Sequence, residues 1–131
     1  MTERLTRDNL HGVWAAIATP VIGQDRFDEG VFRENIRRLH PTGVHGVSST
    51  DSDSKFYADE LEEYRRIVDV LADETGRLGI PSQVGVTWCN TLGMLDRLSH
   101  AADVGILGAY IGHPFLMPKT ADSYRRFWTD L

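Results

Sequence analysis

The sequence has little that would cross-link the chain or carry it into a membrane. Its 131 residues include one cysteine, Cys89, so no disulfide can form within the chain and a reducing compartment is expected. No apolar run approaches the ~18–20 residues that a membrane-spanning helix needs. Residues 1–7 mix both charge signs and no apolar segment follows them, which argues against a secretory signal. We therefore expect a cytoplasmic protein with no membrane partner.

Cofactor motifs and lysines are scarce as well. The sequence has no phosphate-binding loop, no Gly-rich dinucleotide fingerprint, no zinc-ligand spacing and no Gly-x-Ser-x-Gly elbow, so we expect no cofactor and no metal. Lysine occurs only twice, as Lys55 and Lys119. A Schiff-base lysine is activated by burial or by cationic neighbours. Since Lys55 has acidic neighbours and Lys119 begins a predicted surface helix, we expect neither to be a nucleophile.

The overall composition is that of one globular domain. The chain is 41% hydrophobic and 25% charged, which is typical of a folded protein. Its length suits a single domain of about 100–150 residues. The net charge of −5 argues against nucleic acid as a partner. We expect residues 1–131 to form one domain.

Strands and helices alternate along the sequence. The apolar run at residues 13–18 does not alternate with polar residues, which is typical of a strand buried on both faces of a parallel sheet. Strands that alternate with helices of about 10–15 residues predict parallel strands joined by right-handed crossovers. The predicted strands cover residues 13–18, 44–50, 81–87 and 108–113, and the predicted helices cover residues 28–39, 59–74, 91–102 and 120–131.

Each predicted helix has an apolar stripe at steps of three and four residues, which marks its buried face. Gly76 is expected to cap the second helix, because glycine adopts the left-handed conformation of a helix end at little cost. The predicted buried stripes are, in chain order, Phe32, Ile36 and Leu39; Leu61, Tyr64, Val68 and Leu71; Leu92, Leu95, Leu98 and Ala102; and Ala121, Tyr124, Trp128 and Leu131.

Four βα units make an α/β chain equal to half of a TIM (β/α)₈ barrel. A complete barrel needs about 250 residues. Half of one exposes unpaired edges on its first and fourth strands. Three outcomes stay open: the chain is a fragment, it forms a homo-oligomer that covers its edges, or it closes as a small open sheet. The leading interpretation is a truncated barrel, and the expected partner is a second copy of the chain in a homo-oligomer.

A polar loop follows the second strand, where a barrel keeps its active site. Residues 51–55 are rich in hydroxyls and carboxylates, which suits a polar substrate or a cation, although Asp and Ser also cap helices and form turns. His113 ends the fourth strand at the same rim, where it is either a general base or hydrogen-bond donor or a half-buried structural histidine. The predicted substrate-binding residues are Asp51, Ser52, Asp53 and His113.

Other candidates have simpler interpretations. Trp88 follows the third strand and is a candidate for the apolar wall of a pocket. Cys89 has no basic neighbour in the sequence and is expected to be an inert thiol. His45 lies early in the second strand, at the end of a barrel that serves stability, and is expected to be structural.

Several stretches, in matching order and spacing, resemble one family. They are the opening strand with its Thr-Pro ending (12–20), the Gly-Val-x-Gly entry to the second strand (43–46), the start of the second helix (56–67), Asn90-Thr91 and Pro114-Phe115. The chain resembles the N-terminal half of the dihydrodipicolinate synthase / N-acetylneuraminate lyase family. The resemblance implies a (β/α)₈ barrel that acts as a pyruvate-dependent Schiff-base lyase or aldolase.

The resemblance also places the family's site residues on this chain. The Gly-Thr-Thr-Gly-Glu loop that holds the 2-keto-acid carboxylate falls on residues 51–55, where Ser52 keeps a hydroxyl, Asp53 replaces the second threonine and neither glycine is kept. The family's catalytic tyrosine falls on Leu116, which has no proton to transfer, and its Schiff-base lysine lies on a sixth strand that this chain lacks. We therefore expect a small 2-keto-acid-like substrate in the family but no activity of this chain alone. The alternative is a non-catalytic α/β module that binds a ligand or a partner.

Overall fold

The computed structural model describes residues 5–8, 10–54, 60–114 and 118–131, and leaves out the side chain of Asp53. The strands are β1 (Trp14–Ala16), β2 (Val21–Ile22), β3 (Arg26–Phe27), β4 (Gly46–Ser49), β5 (Ser82–Gly85) and β6 (Gly108–Tyr110). The helices are α1 (Glu29–Leu39), α2 (Leu61–Leu78), α3 (Thr91–Asp103) and α4 (Ala121–Asp130), with 3₁₀ turns at His40–Thr42 and Ser52–Ser54.

The main sheet has four parallel strands in the order β1-β4-β5-β6. In register, Ala16 lies beside Ser48, Ser48 beside Gln83, and Gln83 beside Gly108. Sequence neighbours are therefore spatial neighbours, each reached through one helix, as in a barrel. The predicted α/β class and the four βα units are confirmed.

A small antiparallel hairpin between β1 and α1 was not predicted. Val21 of β2 pairs with Phe27 of β3, and Asp25 in the turn has a left-handed φ of 57°. Two-residue strands are too short to show an alternating pattern, so no strand was predicted here. Phe27 carries the hairpin into the core, where its ring meets Phe32 edge to face at 5.3 Å.

The ends of α1 and α2 follow local chemistry. Asp28 caps α1 by accepting a hydrogen bond from the Val31 N–H at 3.1 Å. The prediction that Gly76 caps α2 is wrong: Gly79, at φ 68°, takes that role one turn later. Gly76 lies inside the helix, because Thr75 and its neighbours continue the helical hydrogen bonds to Leu78.

The predicted buried stripe of α3 is wrong except at Leu98, which packs against the core. Met94, Arg97 and Ala101 are its buried residues, whereas Leu92 is 75% exposed. The burial of Arg97 explains the shift, because its guanidinium stacks 3.6 Å from the Trp88 ring and turns this face inward. A pattern of leucines alone does not reveal an arginine that is buried by stacking.

The stripe of α4 is also shifted by one position. Phe127 is its buried residue, whereas Tyr124 and Trp128 are 42% and 52% exposed. This helix follows β6, which is an outer strand of the described sheet. Tyr124 and Trp128, which were predicted to be buried, are therefore each about half exposed.

The core lies between the sheet and helices α1 and α2. It is formed by apolar side chains of the sheet's outer face and by the inward stripes of the helices, including Phe32, Ile36, Val47, Tyr64, Ile67, Val68, Leu71 and Val84. The predicted stripes of α1 and α2 are thus largely confirmed. The expectation that the first strand is buried on both faces is wrong, since Ala16 is exposed and Val13, just before β1, is 63% exposed. Across the described residues, every helix is too short or too polar to cross a bilayer.

Candidate functional site

A pocket of about 350 Å³ opens at the carboxyl ends of β4, β5 and β6. This is the end of a parallel sheet where barrels place their sites, because the loops that follow the strands converge there. The pocket is lined by Ser48, Thr50, Asp51, Ser52, Gln83, Gly85, Thr87, Tyr110, Gly112 and His113.

Three of the four predicted substrate-binding residues line this pocket. Asp51 and Ser52 approach it from the end of β4, and His113 approaches from the segment after β6. The fourth, Asp53, belongs to the 3₁₀ turn Ser52–Ser54, and its side chain lies outside the described part of the chain. The fold thus brings two distant segments together, and their role in binding stays a prediction.

The β4 side of the pocket directs hydroxyl protons away from the cavity. The Ser48 hydroxyl donates to the Asp51 carboxylate at 2.9 Å. The Thr50 hydroxyl lies 2.9 Å from the Gly85 carbonyl oxygen and 2.7 Å from that of Ser49, both of which can only accept. Neither hydroxyl proton is therefore directed into the pocket, and Thr50 itself is fully buried.

Thr50 bends the chain sharply at the edge of the pocket. Its φ of 56° is an uncommon conformation for a β-branched residue. The bend brings its carbonyl oxygen over β5, where a Cβ built on Gly85 would lie 2.2 Å from it. Glycine at position 85 is therefore required for the loop at Asp51 and Ser52 to sit where it does.

The opposite side of the pocket is built from β5, β6 and the residues after them. Thr87 accepts a hydrogen bond from the Gly112 N–H at 2.7 Å, which ties the two segments together. Gln83 and Tyr110 add an amide and a phenol. Tyr110 is 60% exposed, so this wall is the more open of the two.

His113 is held in the wall by α4. Its ring stacks on Tyr124 at 4.4 Å between centroids and meets Phe127 edge to face at 5.2 Å. Its Nδ1 lies 3.1 Å from the Pro114 carbonyl oxygen. Because a carbonyl oxygen only accepts, Nδ1 carries the proton, and Nε2, which is buried, has no hydrogen-bond partner among the described residues.

Three side chains that are not part of the pocket lining pack on one another. The Arg97 guanidinium is 3.6 Å from the Trp88 ring and 5.1 Å from the Tyr64 ring. Burial raises the pKa of Tyr64, so its phenol stays neutral. The prediction that Trp88 walls the pocket is wrong, because its ring packs on Arg97 and is not part of the lining.

Other candidates lie away from the pocket. Lys119 and Cys89 are exposed and do not line it. His45 is at the opposite end of the sheet, where its Nδ1 accepts a hydrogen bond from the Val13 N–H at 3.0 Å, as befits a structural residue. Lys55 and Leu116 lie outside the described residues. Within the described part of the chain, no three His, Cys, Asp or Glu side chains group as metal ligands do.

Sequence reasoning missed the residues contributed by the strands and by the segment after β5. Ser48, Gln83, Thr87 and Tyr110 line the pocket but were not predicted. A weak signal was present, since Gln83 is a long polar residue between Ser82 and Val84 in a predicted strand. Alternation assigns these residues to one face, but only the parallel register places Ser48 beside Gln83.

No family model matches the sequence. Over 115 residues, the chain is 30% identical to a 4-hydroxy-tetrahydrodipicolinate synthase of Natronomonas pharaonis, covering 85% of this chain and 37% of that protein. The chain spans about two fifths of the length of the curated relatives it matches.

Solved structures have the same arrangement of strands and helices. PhdJ bound to a substrate intermediate is 25% identical, with a TM-score of 0.86, over 96% of this chain and 41% of that one. YagE from E. coli K12, in complex with pyruvate, is 19% identical, with a TM-score of 0.82, over 93% of this chain and 42% of that one. At that identity, the second comparison shows the fold alone.

Proposed function

Because the chain belongs to the dihydrodipicolinate synthase / N-acetylneuraminate lyase family over the part that it spans, we propose that it forms one side of the substrate pocket of a Schiff-base lyase or aldolase. One observation carries the proposal. The polar loop after β4 and the segment after β6 meet in a single pocket at the carboxyl end of the sheet. We also propose that residues 1–131 are one partial-barrel domain of a cytoplasmic protein.

In this proposal the chain binds and orients the substrate, and does not activate it. A Schiff-base lyase needs a lysine amine next to the substrate carbonyl. By resemblance that lysine belongs to a sixth strand, and this sequence has only Lys55 and Lys119. Lys119 is exposed and lies outside the pocket lining. The pocket lining contains hydroxyls, an amide, an imidazole and the Asp51 carboxylate.

Borohydride reduction in the presence of pyruvate tests whether this chain alone forms a Schiff base. Reduction converts a Schiff base into a stable secondary amine, which intact-mass measurement detects. We expect no pyruvate adduct on the 131-residue chain. An adduct mapped by peptide mass spectrometry to Lys55 or Lys119 would contradict the proposal that this chain alone is inactive.

A non-catalytic binding module is the second candidate. It is favoured by a pocket that is formed without a lysine in its described lining. We propose that such a module forms a homo-oligomer, because β1 and β6 each pair on one side only within the described sheet. Light scattering coupled to size exclusion, with a thermal melt, separates the candidates: a module gives a defined oligomer with a sharp transition, and a barrel fragment aggregates or melts broadly.

A further inference from the structure

Three hydroxyl side chains of the pocket are buried and already take part in hydrogen bonds within the protein. Ser48 and Thr50 direct their hydroxyl protons to protein acceptors, and the Thr87 oxygen accepts from the Gly112 N–H at 2.7 Å. Each of the three side chains is at most 7% exposed. These residues therefore build the pocket, and a ligand must find its polar contacts elsewhere in the lining.

Gln83 and Tyr110 line the same pocket but differ from those residues in both respects. Gln83 is half-buried and Tyr110 is 60% exposed, so a ligand can reach both side chains. Within the described part of the chain, neither the amide nor the phenol makes a hydrogen bond. Small-molecule sites recognise their ligands through a few polar groups of this kind. The two side chains are therefore the strongest candidates for a polar ligand contact on the β5–β6 wall.

The two side chains are neighbours on one face of the sheet. Gln83 pairs in register with Gly108, and Tyr110 lies two residues farther along β6, so positions 108 and 110 share a face. Because Gly108 has no side chain, the Gln83 side chain lies over it, with Oε1 3.6 Å from where a Cβ would be. The Cα atoms of Gly108 and Tyr110 are separated by two residues of strand, which is ~7 Å. The amide and the phenol can therefore contact one small ligand.

The amide NH₂ and the phenol O–H are both hydrogen-bond donors, and a carbonyl or carboxylate oxygen is an acceptor only. The resemblance places the family's tyrosine on Leu116, which cannot donate a hydrogen bond. Tyr110 instead brings a phenol into the pocket from β6. The β5–β6 wall therefore has the donors that a substrate oxygen needs.

We propose that Gln83 and Tyr110 are substrate-binding residues that donate hydrogen bonds to a carbonyl or carboxylate oxygen of the substrate. The inference rests on the proposed function, because a keto-acid-like substrate supplies an oxygen of this kind. It goes beyond that function by assigning the contact to the β5–β6 wall, whereas the resemblance assigns it to the loop after β4.

Pyruvate is the probe that tests the inference. It is titrated into the ¹⁵N-labelled 131-residue chain, and dissociation constants are fitted from the shifts of pocket amides. Gln83→Leu and Tyr110→Phe each remove one donor, and each is expected to weaken pyruvate binding about three- to tenfold, as the loss of one neutral hydrogen bond does. Gln83→Glu keeps the shape of the side chain but replaces the NH₂ by a charged acceptor, so it is expected to weaken binding more than Gln83→Leu does.

Matched controls make the same chemical changes outside the pocket lining. Gln24→Leu replaces an exposed glutamine in the turn between β2 and β3. Tyr124→Phe removes a phenol hydroxyl on α4 and keeps the ring that stacks on His113. Both are expected to bind pyruvate as the wild type does. The amide spectrum of each variant verifies that it is folded.

The outcomes separate the inference from the proposed function. If pyruvate shifts the pocket amides, but Gln83→Leu and Tyr110→Phe bind it as tightly as the wild type, the inference is wrong and the proposed function stands. If only one of the two variants weakens binding, the assignment of the other residue is wrong. If Gln83→Glu binds pyruvate as tightly as the wild type, the amide protons do not contact it and the inference is wrong. If pyruvate shifts no pocket amide of the wild type, the proposed function is wrong and the inference falls with it.

Discussion

The inner and outer strands of the parallel sheet lie in different surroundings, although similar apolar runs predicted them. Every residue of β4 is buried, and Val84 of β5 is fully buried. In contrast, Ala16 of β1 is exposed and Tyr110 of β6 is 60% exposed. The strand order explains this, because β4 and β5 have a neighbour on each side. Stability is therefore concentrated in the inner pair.

Exposed apolar side chains follow the same division. Most of the large ones belong to the first and last βα units, and few belong to the middle of the chain. Surface of this composition is typical of an interface. Those near β1 are Leu10, Val13, Val21 and Ile22, and those near β6 and α4 are Tyr110, Tyr124 and Trp128.

The largest expected effect is a charge placed in an inner strand. Val47→Asp buries a carboxylate at a site with no exposure, which costs more than the ~5–15 kcal/mol that folding provides once no partner is available. We expect loss of cooperative unfolding in circular dichroism. Val13→Asp, at a position that is 63% exposed before β1, is expected to change stability by less than about 0.5 kcal/mol. Equal effects at the two positions would refute the contrast.

A smaller effect is expected from the ion-pair cluster of α1 and α2, the helices that cover the inner strands. Glu74 is buried and accepts from Arg37 at 2.7 Å and from Arg33 at 3.0 Å. Glu74→Gln leaves the arginines without their buried partner, and we expect a loss of about 3 kcal/mol in urea unfolding. The exposed pair of Glu34 and Arg38 is the control, and Glu34→Gln should cost about 0.5 kcal/mol or less.

The same cluster predicts a pH dependence. Hydrogen bonds from Arg37, with a further contribution from Arg33, hold the pKa of Glu74 below its ordinary value. A carboxyl with a lowered folded-state pKa stabilises the protein above its unfolded pKa, and that stability is lost as the pH falls through the folded-state value. We expect the urea concentration at the midpoint of unfolding of the wild type to decrease as the pH is lowered below about 4.5. A Glu74→Gln protein that loses as much stability over that range would contradict this assignment.

The close approach of β4 to β5 predicts a third effect, at a glycine. Gly85→Ala places a Cβ against the Thr50 carbonyl oxygen, so we expect a loss of about 1–3 kcal/mol and shifted amides at Asp51 and Ser52. Gly76→Ala is the matched control, since nothing lies within 4 Å of its added Cβ inside α2. It should stabilise the chain by about 0.5–1 kcal/mol. Unchanged stability of Gly85→Ala would show that the loop can move aside.

The smallest effect on folding is expected at the outer strands, where self-association is the informative measurement. Val13→Lys and Tyr110→Lys add charge to exposed positions at the two edges of the sheet. Each should change stability by less than about 0.5 kcal/mol. If the edges mediate association, light scattering will show a smaller species for both variants than for the wild type. No change in size would place the contact elsewhere.

The sequence was sufficient for features set by local chemistry. The first helix begins at Asp28 as its sequence predicted, and Phe32 and Ile36 are fully buried as their spacing required. The alternation of strands and helices gave the parallel sheet. These features depend on residues within a few positions of one another, so the sequence contains what determines them.

The candidate site was only partly predictable. Asp51, Ser52 and His113 come from loops that follow strands, and loops at that end of a parallel sheet converge whatever their content. Ser48, Gln83 and Tyr110 come from strand interiors, and their meeting depends on register. The orientation of the Ser48 and Thr50 hydroxyls depends on contacts with Asp51 and Gly85, which no local pattern contains.

By itself, the sequence determined the order of elements, the family and the rim loop that departs from it, because each follows from nearby residues or from their ordered spacing. The tertiary structure decided which faces are buried and which groups meet. Arg97 lies inside because Trp88 and Tyr64 stack on it, and Ala16 lies outside because β1 has a neighbour on one side only within the described sheet. The reason is that burial and hydrogen bonding across a sheet are properties of pairs of distant residues, which the fold brings together.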